Sequence, residues 1–184
     1  MNRLLKTTGL SLLALLFGLA LLACSKLEEA PASLAPVAFH SADECHVCGM
    51  IISDFPGPKG QAVAPSSVKK FCSAAEMLGW WLQPENRLGA AKLYVHDMGR
   101  SQWAKPDDHY LIDATQAFYV VGLADSGLKG AMGAVLAAFS DAQAAQQLAS
   151  TYHARVLRFD EITQDVLQQA AAMQPAGMHG APHH

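Results

Sequence analysis

Two thiols, an imidazole and a thioether occur within six consecutive residues, Cys45 to Met50 (CHVCGM). Thiolate and thioether sulfur select soft metal ions, and Cu(I) is the first candidate for such a donor set. Cys48 and Met50 stand two positions apart, so in an extended segment both side chains point to one face. Gly49 between them lets the backbone approach a bound ion closely. This segment therefore predicts a soft-metal site with Cys48 and Met50 as ligands.

A second group of donors lies at the end of a predicted strand, in the sequence His96-Asp97-Met98-Gly99. A methionine is less expected as a core residue at such a position, which makes Met98 the next candidate ligand. The alternative is that Met98 fills an irregular gap in the core. His96 is a candidate for an accessory ligand. Asp97 either orients a ligand by a hydrogen bond, without binding the metal itself, or caps a turn.

The CxxC spacing of Cys45 and Cys48 has a second interpretation, a structural or redox-active disulfide. A thioredoxin-type motif lies between a strand and a helix, whereas here the glycines and prolines of residues 55–60 (FPGPKG) break any helix. Haem attachment needs a histidine where this chain has Gly49, and a zinc knuckle needs a second donor pair. A periplasmic thiol–disulfide redox protein using Cys45 and Cys48 therefore stays the alternative function.

The N-terminus is typical of a bacterial lipoprotein signal peptide. Arg3 and Lys6 precede an uncharged stretch that ends in LLAC at Cys24, and the stretch is short for a bilayer span of about 20 residues. We expect removal of residues 1–23, acylation of Cys24 and a periplasmic protein anchored to a membrane. Ser25 favours the outer membrane. The alternative is an ordinary cleaved signal peptide.

The net charge limits the classes of partner. Removal of Arg3 and Lys6 with the signal peptide leaves 11 basic side chains against 16 acidic ones, a formal charge of −5. This charge argues against nucleic acid as a partner. No nucleophile–base arrangement and no phosphate-binding loop is recognisable, so we do not expect an enzyme.

The chain divides into segments of different composition. Residues 24–40 are poor in large apolar side chains and predict a flexible tether behind the lipidated Cys24. Residues 41–165 are long enough for one compact core. Residues 166–184 contain the end of a helix and a tail with methionine and histidine. Because three thiols remain when Cys24 is acylated, one, such as Cys72, must stay free, bind metal or be buried.

Strand and helix signals alternate in the folded part. Strands are predicted at 61–64, 68–71, 92–95, 117–123, 134–139 and 154–159, and helices at 73–82, 142–153 and 163–172. The order strand, strand, helix, strand occurs twice, and residues 71–75 align with 139–143 where each helix begins. Two such units predict an α+β fold with helices on small, mostly antiparallel sheets.

Several motifs occur in the order seen in the NosL family of lipoproteins, which is encoded with nitrous oxide reductase. They are the signal ending at Cys24, CHVCGM, FPGPKGQ, FCSAAEMLGWWLQPE, YVHDMG and the stretch from GAMGA to AFSD, and they run to about Asp165. The resemblance implies two related ββαβ units similar to the organomercurial lyase fold. It also implies a Cu(I) metallochaperone that supplies the copper–sulfide centre of the nitrous oxide reductase apoprotein, together with an ABC-type membrane complex.

The resemblance also orders the candidate ligands. Carried over by position, Cys48, Met50 and Met98 become the leading candidates, and Cys45 and His96 are added to them. The sequence thus predicts a membrane-anchored periplasmic copper chaperone that is not an enzyme.

Overall fold

The computed structural model of the chain describes residues 33–131 and 134–173. The predicted signal peptide, Cys24 and all of the tail after Met173 lie outside the described residues. Among the described residues, no helix combines the length and apolar character needed to cross a bilayer.

The first structural unit is a four-stranded antiparallel sheet with one helix. Its elements are β1 (Gly60–Ala64), β2 (Ser67–Phe71), α1 (Ala74–Trp81), β3 (Lys92–His96) and β4 (Leu111–Asp113). The strands lie in the order β2-β1-β3-β4. The sequence did not predict β4, because three residues are too few to show a period.

The second unit repeats the arrangement on a smaller scale. Its elements are β5 (Phe118–Val121), β6 (Leu136–Phe139), α2 (Ala142–Thr151) and β7 (Arg155–Arg158), and helix α3 (Gln164–Ala172) follows. The order β6-β5-β7 is again antiparallel, with the first strand of the unit between the other two. The predicted α+β fold with two ββαβ units is therefore confirmed.

Equivalent residues begin the two main helices. The Ser73 hydroxyl accepts a hydrogen bond from the backbone N–H of Glu76 at the start of α1, and Asp141 accepts one from the N–H of Gln143 at the start of α2. Such caps satisfy N–H groups that the first turn of a helix leaves free. The alignment of 71–75 with 139–143 thus corresponds to a shared local structure.

Residues 33–40 are held against the first sheet by long-range hydrogen bonds. The buried Gln61 side chain accepts from Val37 N and donates to Val37 O, both at 2.8 Å. Phe39 N donates to the Asp108 carboxylate at 2.7 Å. The prediction of a flexible tether up to His40 therefore does not hold for residues 33–40, because their backbone polar groups find partners in the folded domain.

The turn after β3 joins the two units. The buried Asp97 carboxylate accepts hydrogen bonds from the Ser140 hydroxyl at 2.5 Å and from the N–H groups of Ser140 and Gly99. Met98 N donates to Ala138 O at 2.8 Å. Asp97 therefore fixes the end of β3 to the turn that begins α2, which supports the turn-capping interpretation of this residue.

Candidate metal centre

The CHVCGM segment forms a tight turn between Glu44 and Ile51, which make an isolated antiparallel bridge. Cys45 N donates to Met50 O at 2.8 Å, and Gly49 N donates to Cys45 O at 2.9 Å. Gly49 has a φ of 72°, in the left-handed region that favours glycine. The expectation of an extended Cys48-Gly49-Met50 segment is therefore wrong, and the glycine allows the loop to fold back.

The turn brings Cys48 next to a cysteine from another part of the chain. Cys72 lies between β2 and α1, and its Sγ is 3.2 Å from Cys48 Sγ. His46 N donates to Lys70 O at 2.8 Å, which ties the turn to β2 near Cys72. Cys45 and Cys72 are buried, whereas Cys48 is partly exposed. Among the three thiols, Cys48 is therefore the one that solvent reaches.

Glu76 adds a carboxylate from the first turn of α1. Its Oε2 lies 3.4 Å from Cys45 Sγ. The potential ligand atoms of Cys45, Cys48, Cys72 and Glu76 all lie within 4.8 Å of one another. Within the described residues this is the one group of at least three His, Cys, Asp or Glu side chains that could hold a metal ion. We call these four residues the cysteine cluster.

The surroundings shift the pKa values of the four groups in the cysteine cluster in different directions. The hydrogen bond from Cys72 lowers the pKa of Cys45 to about 4, aided by backbone N–H groups and opposed by burial. The same interaction raises the pKa of Cys72, and burial raises the pKa values of Cys48 and Glu76. Without metal the cluster therefore favours one thiolate, at Cys45. Because metal ligands must be deprotonated, a metal ion has to displace protons from the other two thiols.

Of the five residues predicted as ligands, the structure brings Cys45 and Cys48 together in the cluster. Met50 lies close to it, since the Met50 side chain is partly buried and packs against the same hydrophobic core that contains Cys45 and Cys72. Its backbone O is held by Cys45 N at 2.8 Å. The backbone of Met50 is thus adjacent to Cys45, and its role as a ligand stays a prediction.

Met98 and His96 are placed elsewhere. Met98 packs against the second hydrophobic core with Trp103 and Phe139, not against the core of the cysteine cluster. His96 is 1% exposed; its Nδ1 accepts from Lys59 N at 3.1 Å and its Nε2 lies 2.9 Å from Asp108. Both ring nitrogens are therefore occupied within the protein. The structure does not join either residue to the cluster, and both remain predictions as ligands.

Two members of the cluster were missing from the predicted ligand set. The sequence left open whether Cys72 stays free, binds metal or is buried, and Glu76 was not among the predicted ligands. Both lie at the start of α1, Cys72 just before the Ser73 cap and Glu76 in the first turn. Their proximity to Cys45 could not be predicted from the local sequence, since it depends on the CHVCGM turn folding onto β2.

Three sulfur atoms and one carboxylate oxygen allow two kinds of metal binding. Thiolates alone suit Cu(I), which takes soft ligands. With the carboxylate as fourth ligand, the same set suits tetrahedral Zn²⁺. The three cysteines are free thiols in this structure.

Comparison with known proteins identifies relatives of this chain. The family model described as NosL matches residues 36–167. The chain is 64% identical to the copper-binding lipoprotein NosL of Stutzerimonas stutzeri over 97% of its length and 93% of the relative's, and 34% identical to that of Achromobacter cycloclastes over 79% and 76%. The crystal structure of the copper chaperone NosL from Shewanella denitrificans matches with a TM-score of 0.67 and 42% identity, covering 72% of this chain and 98% of the other. The chain belongs to the NosL family.

Proposed function

We propose that this protein is a Cu(I)-binding metallochaperone, anchored on the periplasmic side of a membrane by acyl chains on Cys24. The observation that carries the proposal is the convergence of three thiols, Cys45, Cys48 and Cys72, at one partly open site. Thiolate ligands suit Cu(I), which takes soft ligands. The names of the relatives, copper-binding lipoproteins and a copper chaperone, agree with this assignment.

The burial of the ligands suits transfer of the metal rather than permanent storage. Cys45 and Cys72 are buried, so they hold the ion from the protein side. Cys48 is partly exposed and can be replaced first by a ligand of an incoming protein. Stepwise ligand exchange of this kind lets copper leave without becoming free in solution. We propose that the recipient is the apoprotein of nitrous oxide reductase, reached together with an ABC-type membrane complex.

Binding is tested by anaerobic titration of the reduced protein with Cu(I) against a coloured Cu(I) chelator. We expect one Cu(I) per chain, and we expect Cys48→Ala and Cys72→Ala each to weaken binding by about tenfold or more. Met98→Leu serves as the matched comparison, because Met98 packs in the second core. Parent-like affinity of both cysteine variants would refute the cysteine cluster as the site. A loss in Met98→Leu alone would restore the ligand set predicted from the sequence.

Delivery is tested by mixing the Cu(I)-loaded protein with reductase apoprotein and membranes that contain the ABC-type complex. We expect the absorption spectrum of the copper–sulfide centre to develop in the reductase when a sulfide source is present. Loaded Cys48→Ala, used at matched copper content, should deliver more slowly because it lacks the exposed ligand. Equal development of the centre with an equivalent amount of chelated copper alone would count against a delivery role.

A further inference from the structure

The FPGPKG segment contains a buried lysine that the proposed ligand set does not use. Lys59 is 5% exposed, and its Nζ donates hydrogen bonds to Phe55 O and, at 3.1 Å, to Pro56 O. Among the residues that the structure describes, no carboxylate oxygen lies within 4.0 Å of this ammonium. A buried charge without a counter-charge is costly. A negative charge nearby would therefore stabilise the ammonium beyond what the two carbonyl oxygens provide.

The backbone around Lys59 runs along the segment that carries Cys72. Pro58 O accepts a hydrogen bond from Ala74 N at 3.0 Å, and Gly60 pairs with Phe71, the residue before Cys72. The close fit extends to α1, where a Cβ added at Gly60 would lie 2.7 Å from the Met77 side chain. Lys59 is thus held by packing beside the cysteine cluster, and its carbonyl partners belong to the loop that follows the CHVCGM turn.

The charges that act on Lys59 are those of the cluster. Burial lowers the pKa of Lys59 to about 8, and charge interactions with Cys72, Glu76 and Cys45, in the states in which these groups are ionised, oppose this shift. At neutral pH Lys59 is therefore mainly a cation, and ionised groups of the cluster stabilise its charge. Lys70, by contrast, forms a salt bridge with Asp43.

We propose that Lys59 is the internal counter-ion of the metal centre and sets its affinity for Cu(I). This inference rests on the proposed function. A Cu(I) ion with three thiolates carries two net negative charges, and an ionised Glu76 adds a third. In a half-buried site such an excess is unfavourable, and a fixed positive charge reduces it. Lys59 supplies that charge without ligating the metal, so it acts on the thiolate ligands through electrostatic attraction alone.

A purely structural role would use the same hydrogen bonds, since the Lys59 amine also holds the Phe55–Pro56 turn. Two substitutions separate charge from hydrogen bonding. Lys59→Gln keeps a donor for the carbonyls and removes the charge, whereas Lys59→Arg keeps both. Lys92→Gln is the matched control, because it removes one exposed lysine at the other end of the β1–β3 pair.

The experiment is an anaerobic Cu(I) titration of the reduced full chain and these three variants against a chelator, with thermal unfolding of each metal-free protein. We expect Lys59→Gln to weaken Cu(I) binding by about tenfold or more, Lys59→Arg to retain most of the affinity, and Lys92→Gln to match the parent. Lys59→Met provides a second neutral variant if Lys59→Gln does not fold.

The outcomes distinguish this inference from the proposed function. Parent-like Cu(I) affinity in the folded neutral variants would overturn the counter-ion role and leave the cysteine cluster standing. Equal weakening in Lys59→Arg and Lys59→Gln would overturn it as well, because charge would then not be the cause. A parent protein that binds no Cu(I) would refute the proposed function itself.

Discussion

Cys48 and Cys72 are 24 residues apart in sequence, and their sulfur atoms lie 3.2 Å apart. The contact exists because the CHVCGM turn lies on the outer edge of β2, where His46 N donates to Lys70 O. It joins the partly exposed thiol of the turn to a thiol fixed by the start of α1. Cys48 of the CxxC pair is therefore in contact with a thiol from outside that pair.

Oxidation should join Cys48 to Cys72. We expect mild oxidation of the metal-free protein to give mainly a Cys48–Cys72 disulfide and to leave Cys45 free, because these two sulfurs are in contact. Non-reducing peptide mapping by mass spectrometry identifies the bond. Such a disulfide should abolish Cu(I) binding until it is reduced. A dominant Cys45–Cys48 disulfide that cycles without any dependence on metal would instead favour the thiol–disulfide redox function.

Glu76 should affect zinc more than copper. A carboxylate oxygen is a good ligand for Zn²⁺ but a poor one for Cu(I), which prefers sulfur. We expect Glu76→Ala to weaken Zn²⁺ binding by about tenfold or more and Cu(I) binding by about threefold or less. Competition titrations with each metal measure both affinities. Glu85→Ala, an exposed site outside the cluster, is the control, and a larger loss for Cu(I) than for Zn²⁺ would contradict the prediction.

Asp97 should matter for stability and not for copper. Asp97→Ala leaves the Ser140 hydroxyl and two N–H groups without their acceptor. We expect the free energy of unfolding to fall by about 2–4 kcal/mol, measured by denaturant titration, while the folded variant keeps the parent Cu(I) affinity. The exposed Asp125→Ala variant should stay within about 0.5 kcal/mol of the parent. A loss of Cu(I) affinity without a loss of stability would indicate that the Asp97-Met98 turn takes part in the metal site.

His96 should make the metal-free protein less stable in acid. Burial lowers the pKa of His96 below its ordinary value, so the unfolded chain takes up this proton before the folded protein does. The free energy of unfolding should therefore be unaffected above about pH 6.5 and fall below it, by at most about 1.4 kcal/mol per pH unit. His96→Gln, which can keep the hydrogen bond to Asp108, should show a smaller loss between pH 7.5 and 5.5. An identical pH dependence of both proteins would exclude this contribution.

Much of the fold was visible in local patterns. The caps at Ser73 and Asp141, each preceding an alanine-rich helix start, marked equivalent positions in both units. The strands were predicted to within a few residues of their bounds. The short β4 and the attachment of residues 33–40 were not, because the latter depends on Gln61 and Asp108, which are distant in sequence.

The metal centre was visible only in part. The spacing of Cys45 and Cys48 predicts a pair of ligands. Cys72 joins them because a turn packs on a strand edge, and such packing leaves no pattern in the local sequence. Met98 has the chemistry of a ligand and the sequence context of a strand end. Its turn, however, is anchored to the second unit through Asp97 and Ala138.

The two ββαβ units differ at one equivalent position. Cys72 precedes the helix cap of the first unit and faces the other thiols, whereas Ser140 precedes the cap of the second and binds Asp97. The turn of the first unit contributes a thiol to the cysteine cluster, and the same turn of the second unit binds the Asp97 carboxylate. The molecule thus resembles a duplicated module in which one position provides a proposed metal ligand in the first half and a link between the two halves in the second.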